Sequence, residues 1–206
     1  MIITKDFSFK LFFYLSFGFI IFTVIGTLSH ELGHYMMAVA LGYDASINYG
    51  YTHWSIPHYS SFVTHYYHGE LITLAGPLQT IFTGSIGFIF LFRKRKNIDL
   101  TGELDHTQWL FIFLTLFWLR ELFNFLTGIP GGFAHWGDEE TLALNRNLPI
   151  LSFILPLALI AYLVLNYVYF RFVPYKQRLT FLTAGLAGGL LGFYLWMYKL
   201  GPILMP

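Results

Sequence analysis

Hydrophobic positions in this chain fall in long runs rather than in the narrow stripes of amphipathic surface helices. Five runs approach the roughly 20 residues that carry a helix across a hydrocarbon core. The first starts near Phe9, passes through His30 to His34, and is expected to close at Gly42, a residue suited to a helix C-terminus. The others are expected at about Leu71 to Phe92, Trp109 to Leu126, Pro149 to Phe170 and Leu179 to Leu200. Gly185, Gly188, Gly189 and Gly192 interrupt the last run, and glycine is commoner in membrane helices than in soluble ones. More polar stretches, Tyr43 to Gly69 and Gly128 to Leu148, separate the runs on one side. The pattern predicts an all-α polytopic membrane protein of about five transmembrane helices, with residues 1–206 forming a single membrane-embedded domain.

Composition agrees. Charged residues make up 11% of the chain and hydrophobic ones 56%, whereas a soluble domain carries about 25% charged residues. A formal net charge of +1 gives no case for a nucleic-acid partner. The chain has no cysteine, so any metal must be held by His, Asp or Glu. Lys5 and Lys10 precede the first apolar run as they would in a signal peptide. No small-residue cleavage site follows, so the run is read as a retained span. Nine of the 12 Lys and Arg residues fall on one side of a five-span arrangement: Lys5, Lys10, Arg93 to Lys96, Arg171, Lys176 and Arg178. Arg146 and Lys199 lie on the other side, and Arg120 lies within the third span. This bias predicts a multi-pass protein of the cell membrane with its N-terminus in the cytoplasm and its C-terminus outside.

The chemistry concentrates in His30-Glu31-Leu32-Gly33-His34. Residues i and i+4 share a helix face, so His30 and His34 present their imidazoles to one ion, with Glu31 beside them. Zinc acidifies its bound water toward a pKa of about 7, and a neighbouring carboxylate accepts the proton; this is the logic of HExxH peptidases. With eight His in the chain, chance produces the pattern roughly 0.01 times. Ionisable residues within a membrane helix also point to function. From Lys10 to His30 is about 30 Å of helix, which places the motif toward the outer face if the charge bias holds. A catalytic zinc needs a third protein ligand. Asp138 is the first choice, with a helix N-cap as its alternative role, and His135 is its rival.

Other polar residues have bland readings beside functional ones. Arg120 and Glu121, inside the third span, point in different directions as sequence neighbours, and each needs another partner, for which Glu70 and Asn124 are the candidates. His53, His58, His65 and His68, mixed with Tyr and Trp, suit an interfacial aromatic layer or a second metal site. Gly76-Pro77 opens the second span's backbone, either as a packing kink or as a route for water and substrate to the metal.

His30-Glu31-Leu32-Gly33-His34, then Ala75-Gly76-Pro77-Leu78 at the next span, then an Asp after a later span, resemble the site-2 protease (M50-type) family of intramembrane zinc metalloproteases. Asn124, Pro130 and Asp138 loosely follow that family's Asn-x-x-Pro stretch leading to Asp-Gly. The match covers most of the chain from Leu28 to about Pro149. Thr80 stands where an Asn often follows the second motif, and Glu139 where a Gly usually follows the Asp. The resemblance implies Zn2+ on His30, His34 and Asp138, Glu31 as general base, and a membrane protein or peptide as substrate, cleaved in or near the bilayer. The rival from another class is a non-catalytic metal-binding membrane scaffold or sensor, which has no need of Glu31. A small transporter using Arg120, Glu121 and Glu70 as a polar path is a third reading, against which the lack of an internal repeat argues.

Overall fold

Ser8 starts the first helix, its hydroxyl accepting from the Leu11 amide at 3.3 Å. Helix α1 then runs from Phe9 to Ala40, and Gly42, at φ +84°, takes the left-handed backbone that ends it. The architecture comes from a computed structural model that describes residues 7–55, 62–130 and 137–206. Beyond α1 lie strands β1 (Ala45–Ile47) and β2 (Thr52–Trp54), then helices α2 (Phe62–Arg93), α3 (His106–Thr115), α4 (Leu119–Gly128), α5 (Asp138–Asn145), α6 (Leu151–Arg171), α7 (Arg178–Leu195) and α8 (Gly201–Leu204). A capping box between Asp105 and Gln108 opens α3. One 3-10 turn, Leu116–Trp118, joins α3 to α4 in a single span, and a π-helical turn, Trp196–Leu200, joins α7 to α8.

Five helical stretches are long and apolar enough to cross a membrane: Phe9–Ala40, Tyr66–Arg93, His106–Gly128, Leu151–Arg171 and Tyr175–Leu204. Their outward faces carry residues no water-soluble surface would carry in such number. Phe13 and Phe17 on α1 are 68% and 65% exposed, and Leu186 and Leu190 on α7 are 67% and 63% exposed. Inside, Leu15, Phe19, Trp109, Ile112, Phe113, Phe172 and Phe181 form the main packed cluster, with Phe22 stacked on Phe113 at 4.8 Å. The glycines of the last span admit α1. A Cβ on Gly188 would stand 2.4 Å from the Ser16 carbonyl oxygen, and one on Gly192 would stand 2.9 Å from the Ile20 Cα.

Two features depart from the hydropathy reading. The segment after α1 is not all loop: β1 and β2 pair antiparallel, Ala45 opposite Trp54. Asn48 makes the turn, its side-chain oxygen accepting from the amides of Gly50 and Tyr51 at 3.0 Å each. Trp196 Nε1 donates to the Tyr49 carbonyl at 2.7 Å, which ties the hairpin to the last span. Strands of three residues are too short to register as an alternating pattern. Helix α2 also starts nine residues earlier than Leu71, because Tyr, His and Thr are compatible with a helix that has left the hydrocarbon.

Candidate metal centre

His30 and His34 are almost fully buried on one face of α1, at 1% and 8% exposure. Each ring is oriented by a group on α2. His34 Nδ1 lies 2.7 Å from the Ile72 carbonyl oxygen, which can only accept, so Nδ1 carries the proton. His30 Nδ1 lies 3.0 Å from Thr80 Oγ1. The Thr80 hydroxyl donates its own proton to the Gly76 carbonyl at 3.2 Å, so it accepts from His30. Both Nε2 atoms are thereby left as lone-pair donors, and they lie 3.1 Å apart. Gly76 makes room for them: a Cβ there would stand 2.3 Å from His34 Nε2 and 2.7 Å from His30 Nε2.

Asp138 completes the triangle. Its Oδ2 is 2.9 Å from His30 Nε2 and 3.3 Å from His34 Nε2. It is the first helical residue of α5; Gly137 occupies the cap position that was the alternative role for Asp138. Burial works to raise the Asp138 pKa, but its contacts with the two imidazoles override this and hold the carboxyl well below the usual carboxylate range. With both rings neutral and Nδ1 protonated, three electron-pair donors face one another at 2.9 to 3.3 Å, an arrangement that a metal ion or a shared proton among them relieves. For a tetrahedral zinc with bonds of about 2.0–2.1 Å, neighbouring donors stand about 3.3 Å apart. The edges of this triangle therefore fit zinc, and the donor set of two imidazoles and one carboxylate suits it. His135, the rival third ligand, lies outside the described residues.

Glu31 stands next to this triangle without joining it. Its carboxyl belongs to the same group of potential ligands, all within 4.8 Å of one another, but Thr52 on β2 lies 3.1 Å from Glu31 Oε2 and 2.9 Å from the Glu31 carbonyl. A cavity of about 290 Å3 opens beside His30, Glu31, His34, Arg120, Asn124 and Asp138. A second, more apolar cavity of about 450 Å3 lies among α1, α3, α4 and α7, and Arg120, Asn124 and Gly50 line both.

The remaining candidates resolve differently. Glu70 does not pair with Arg120; it accepts from Arg146 in a fork, at 3.2 Å from Nε and 3.0 Å from the second nitrogen. Tyr66 donates to the Asn145 carbonyl nearby, so α2 grips the end of α5 at two points. Glu121, fully buried, faces Glu139 on α5. Burial, together with the charge of Asp138, raises the Glu139 pKa. Asn124 reaches Glu139 at 3.5 Å. His68 Nδ1 bonds the Tyr43 hydroxyl at 2.9 Å and the His53 ring packs edge-on against Tyr51, as an aromatic layer does. His58 and the side chain of His65 lie outside the described residues. Among the described residues, the potential ligands within mutual reach gather at this one place, His30, Glu31 and His34 with Asp138 against the two imidazoles.

No family model matches the chain, and no curated protein or solved structure matches it either. The reading of the site therefore rests on its own residues. Of these, HELGH and Asp138 are visible in the sequence as chemistry. The packing role of Gly76 and the bond from His30 to Thr80 are visible only as a motif and a departure from it. Thr52 carried no signal, because the hairpin that delivers it does not show in the hydropathy pattern.

Proposed function

We propose that the protein is a zinc-dependent peptidase of the membrane, similar in its site to the site-2 proteases. One observation carries this reading: ligand atoms of His30, His34 and Asp138 converge in a triangle of zinc dimensions, with the Glu31 carboxyl beside an open cavity. His30, His34 and Asp138 would hold the ion. Zinc bound there supplies a Lewis acid and an acidified water. Thr52 anchors one Glu31 oxygen, which leaves Oε1 to take the proton from the attacking water and return it to the departing amine. Thr80 and the Ile72 carbonyl keep both imidazoles in the tautomer that ligates through Nε2. The apolar cavity next to the site suits an uncharged stretch of a membrane protein or peptide. The charge bias of the loops supports an outward-facing site with the N-terminus in the cytoplasm.

The test is metal content together with hydrolysis of an apolar peptide library by the purified protein and by Glu31→Gln. The expected outcome is zinc retained in both, and hydrolysis reduced by about 10²–10⁴-fold in the variant. Equal hydrolysis by the two proteins would remove Glu31 from the chemistry. Zinc without hydrolysis in the native protein would favour the metal-dependent scaffold or sensor.

A further inference from the structure

Arg120 is an arginine within a membrane span that forms no hydrogen bond or ion pair among the described residues, and its Nε is buried without a partner. A guanidinium presents five donors and keeps its charge in any protein environment. Leaving it unanswered inside a bilayer is costly. The charges of Glu31, Glu121 and Glu139 lie near enough to be felt, but none forms an ion pair with it, and Glu70 bonds Arg146 instead. Instead Arg120 lines the polar cavity together with His30, Glu31 and Asp138, and it also lines the apolar cavity that adjoins it. It stands where an apolar substrate segment in the larger cavity would bring its backbone to the polar one.

We infer that Arg120 is a catalytic residue of the proposed peptidase, stabilising the oxyanion that forms at the scissile carbonyl. The inference rests on the peptidase reading and names the donor it needs. When water adds to the carbonyl carbon, a C–O bond forms, the C=O π bond breaks, and its electron pair moves to the carbonyl oxygen; the proton leaves for Glu31. Negative charge thus appears on an atom that entered neutral. A substrate carboxylate would have to be desolvated to reach this depth, whereas charge generated in place does not. A fixed cation waiting at that point is the preorganised arrangement that lowers such barriers. Asn124, one turn further along α4, lies on the same face and the same cavity walls.

Binding of two peptides with identical apolar flanks tests this by calorimetry on the zinc-loaded full chain. One carries a tetrahedral, anionic phosphinate at the scissile position; the other carries an uncharged ketomethylene group. Arg120→Gln is expected to weaken the phosphinic peptide on the order of 10²-fold and to leave the ketomethylene peptide unchanged. Arg120→Lys, which keeps the charge, should recover part of the loss and also covers the case in which the glutamine variant does not fold. Parallel weakening of both peptides, or undiminished phosphinate binding, overturns the inference while leaving the peptidase reading in place. A native protein that holds zinc and binds neither peptide overturns both.

Discussion

Two arginines, one buried and one half-buried, show how the same side chain serves opposite ends of the molecule. Arg178, 3% exposed at the start of α7, donates to the carbonyls of Val173 at 3.2 Å and Phe170 at 2.8 Å. The rings of Tyr169, Phe170 and Tyr175 surround its guanidinium, the nearest 4.7 Å away. It satisfies backbone carbonyls left over where α6 ends. Arg120, at the other end, makes no hydrogen bond or ion pair among the described residues and faces two cavities. The first end is packed aromatic against aromatic around a guanidinium bonded to two carbonyls, with only Tyr169 Oη and Gln177 Oε1 left unpartnered nearby among the described residues. The second gathers converging lone pairs, a carboxyl pair and an unpartnered cation around open space. What separates the two ends is open space: one arginine is enclosed by rings and carbonyls, the other stands at the wall of two cavities.

Substitutions sharpen the contrast. At the packed end, Phe113→Ala removes the ring that meets both Phe19 and Phe22 and should lower stability by about 3–5 kcal/mol, read from thermal unfolding in detergent. Arg178→Gln should cost about 2–3 kcal/mol, because it breaks two charge-assisted bonds and leaves carbonyls buried. Neither change should alter zinc stoichiometry in protein that remains folded. At the site end the pattern reverses. Gly76→Ala places a methyl against both Nε2 atoms and should abolish zinc binding while the unfolding temperature of metal-free protein changes little. Thr80→Val, which frees the His30 tautomer, should weaken zinc by about 10–100-fold with a smaller effect on stability. If Gly76→Ala unfolds the bundle as severely as Phe113→Ala, the two ends are not separable in this way.

Much of this division could be read in the chain beforehand. Five apolar runs predicted the five spans, since a helix in lipid must be apolar over its full length. The i, i+4 histidines announced a shared ligand face, and Asp138 followed from the need for a third oxygen or nitrogen ligand. What stayed hidden depended on contacts distant in sequence. Arg178 read as one more basic loop residue, yet it is buried, because the carbonyls that hold it are exposed only once α6 has ended. Glu70 read as a partner for the intramembrane arginine, but Arg146 reaches it first across 76 positions. Thr52 and the hairpin were invisible because three-residue strands leave no periodic trace.

The central claim is that His30, His34 and Asp138 share one zinc ion. X-ray absorption at the zinc edge of the purified protein tests it most directly. The account predicts one tightly held zinc per chain, with two imidazole nitrogens and a carboxylate oxygen at about 2.0–2.2 Å, and loss of the oxygen scatterer or of the ion itself in Asp138→Asn. A protein that retains no zinc, or a spectrum that Asp138→Asn leaves unchanged, would contradict it.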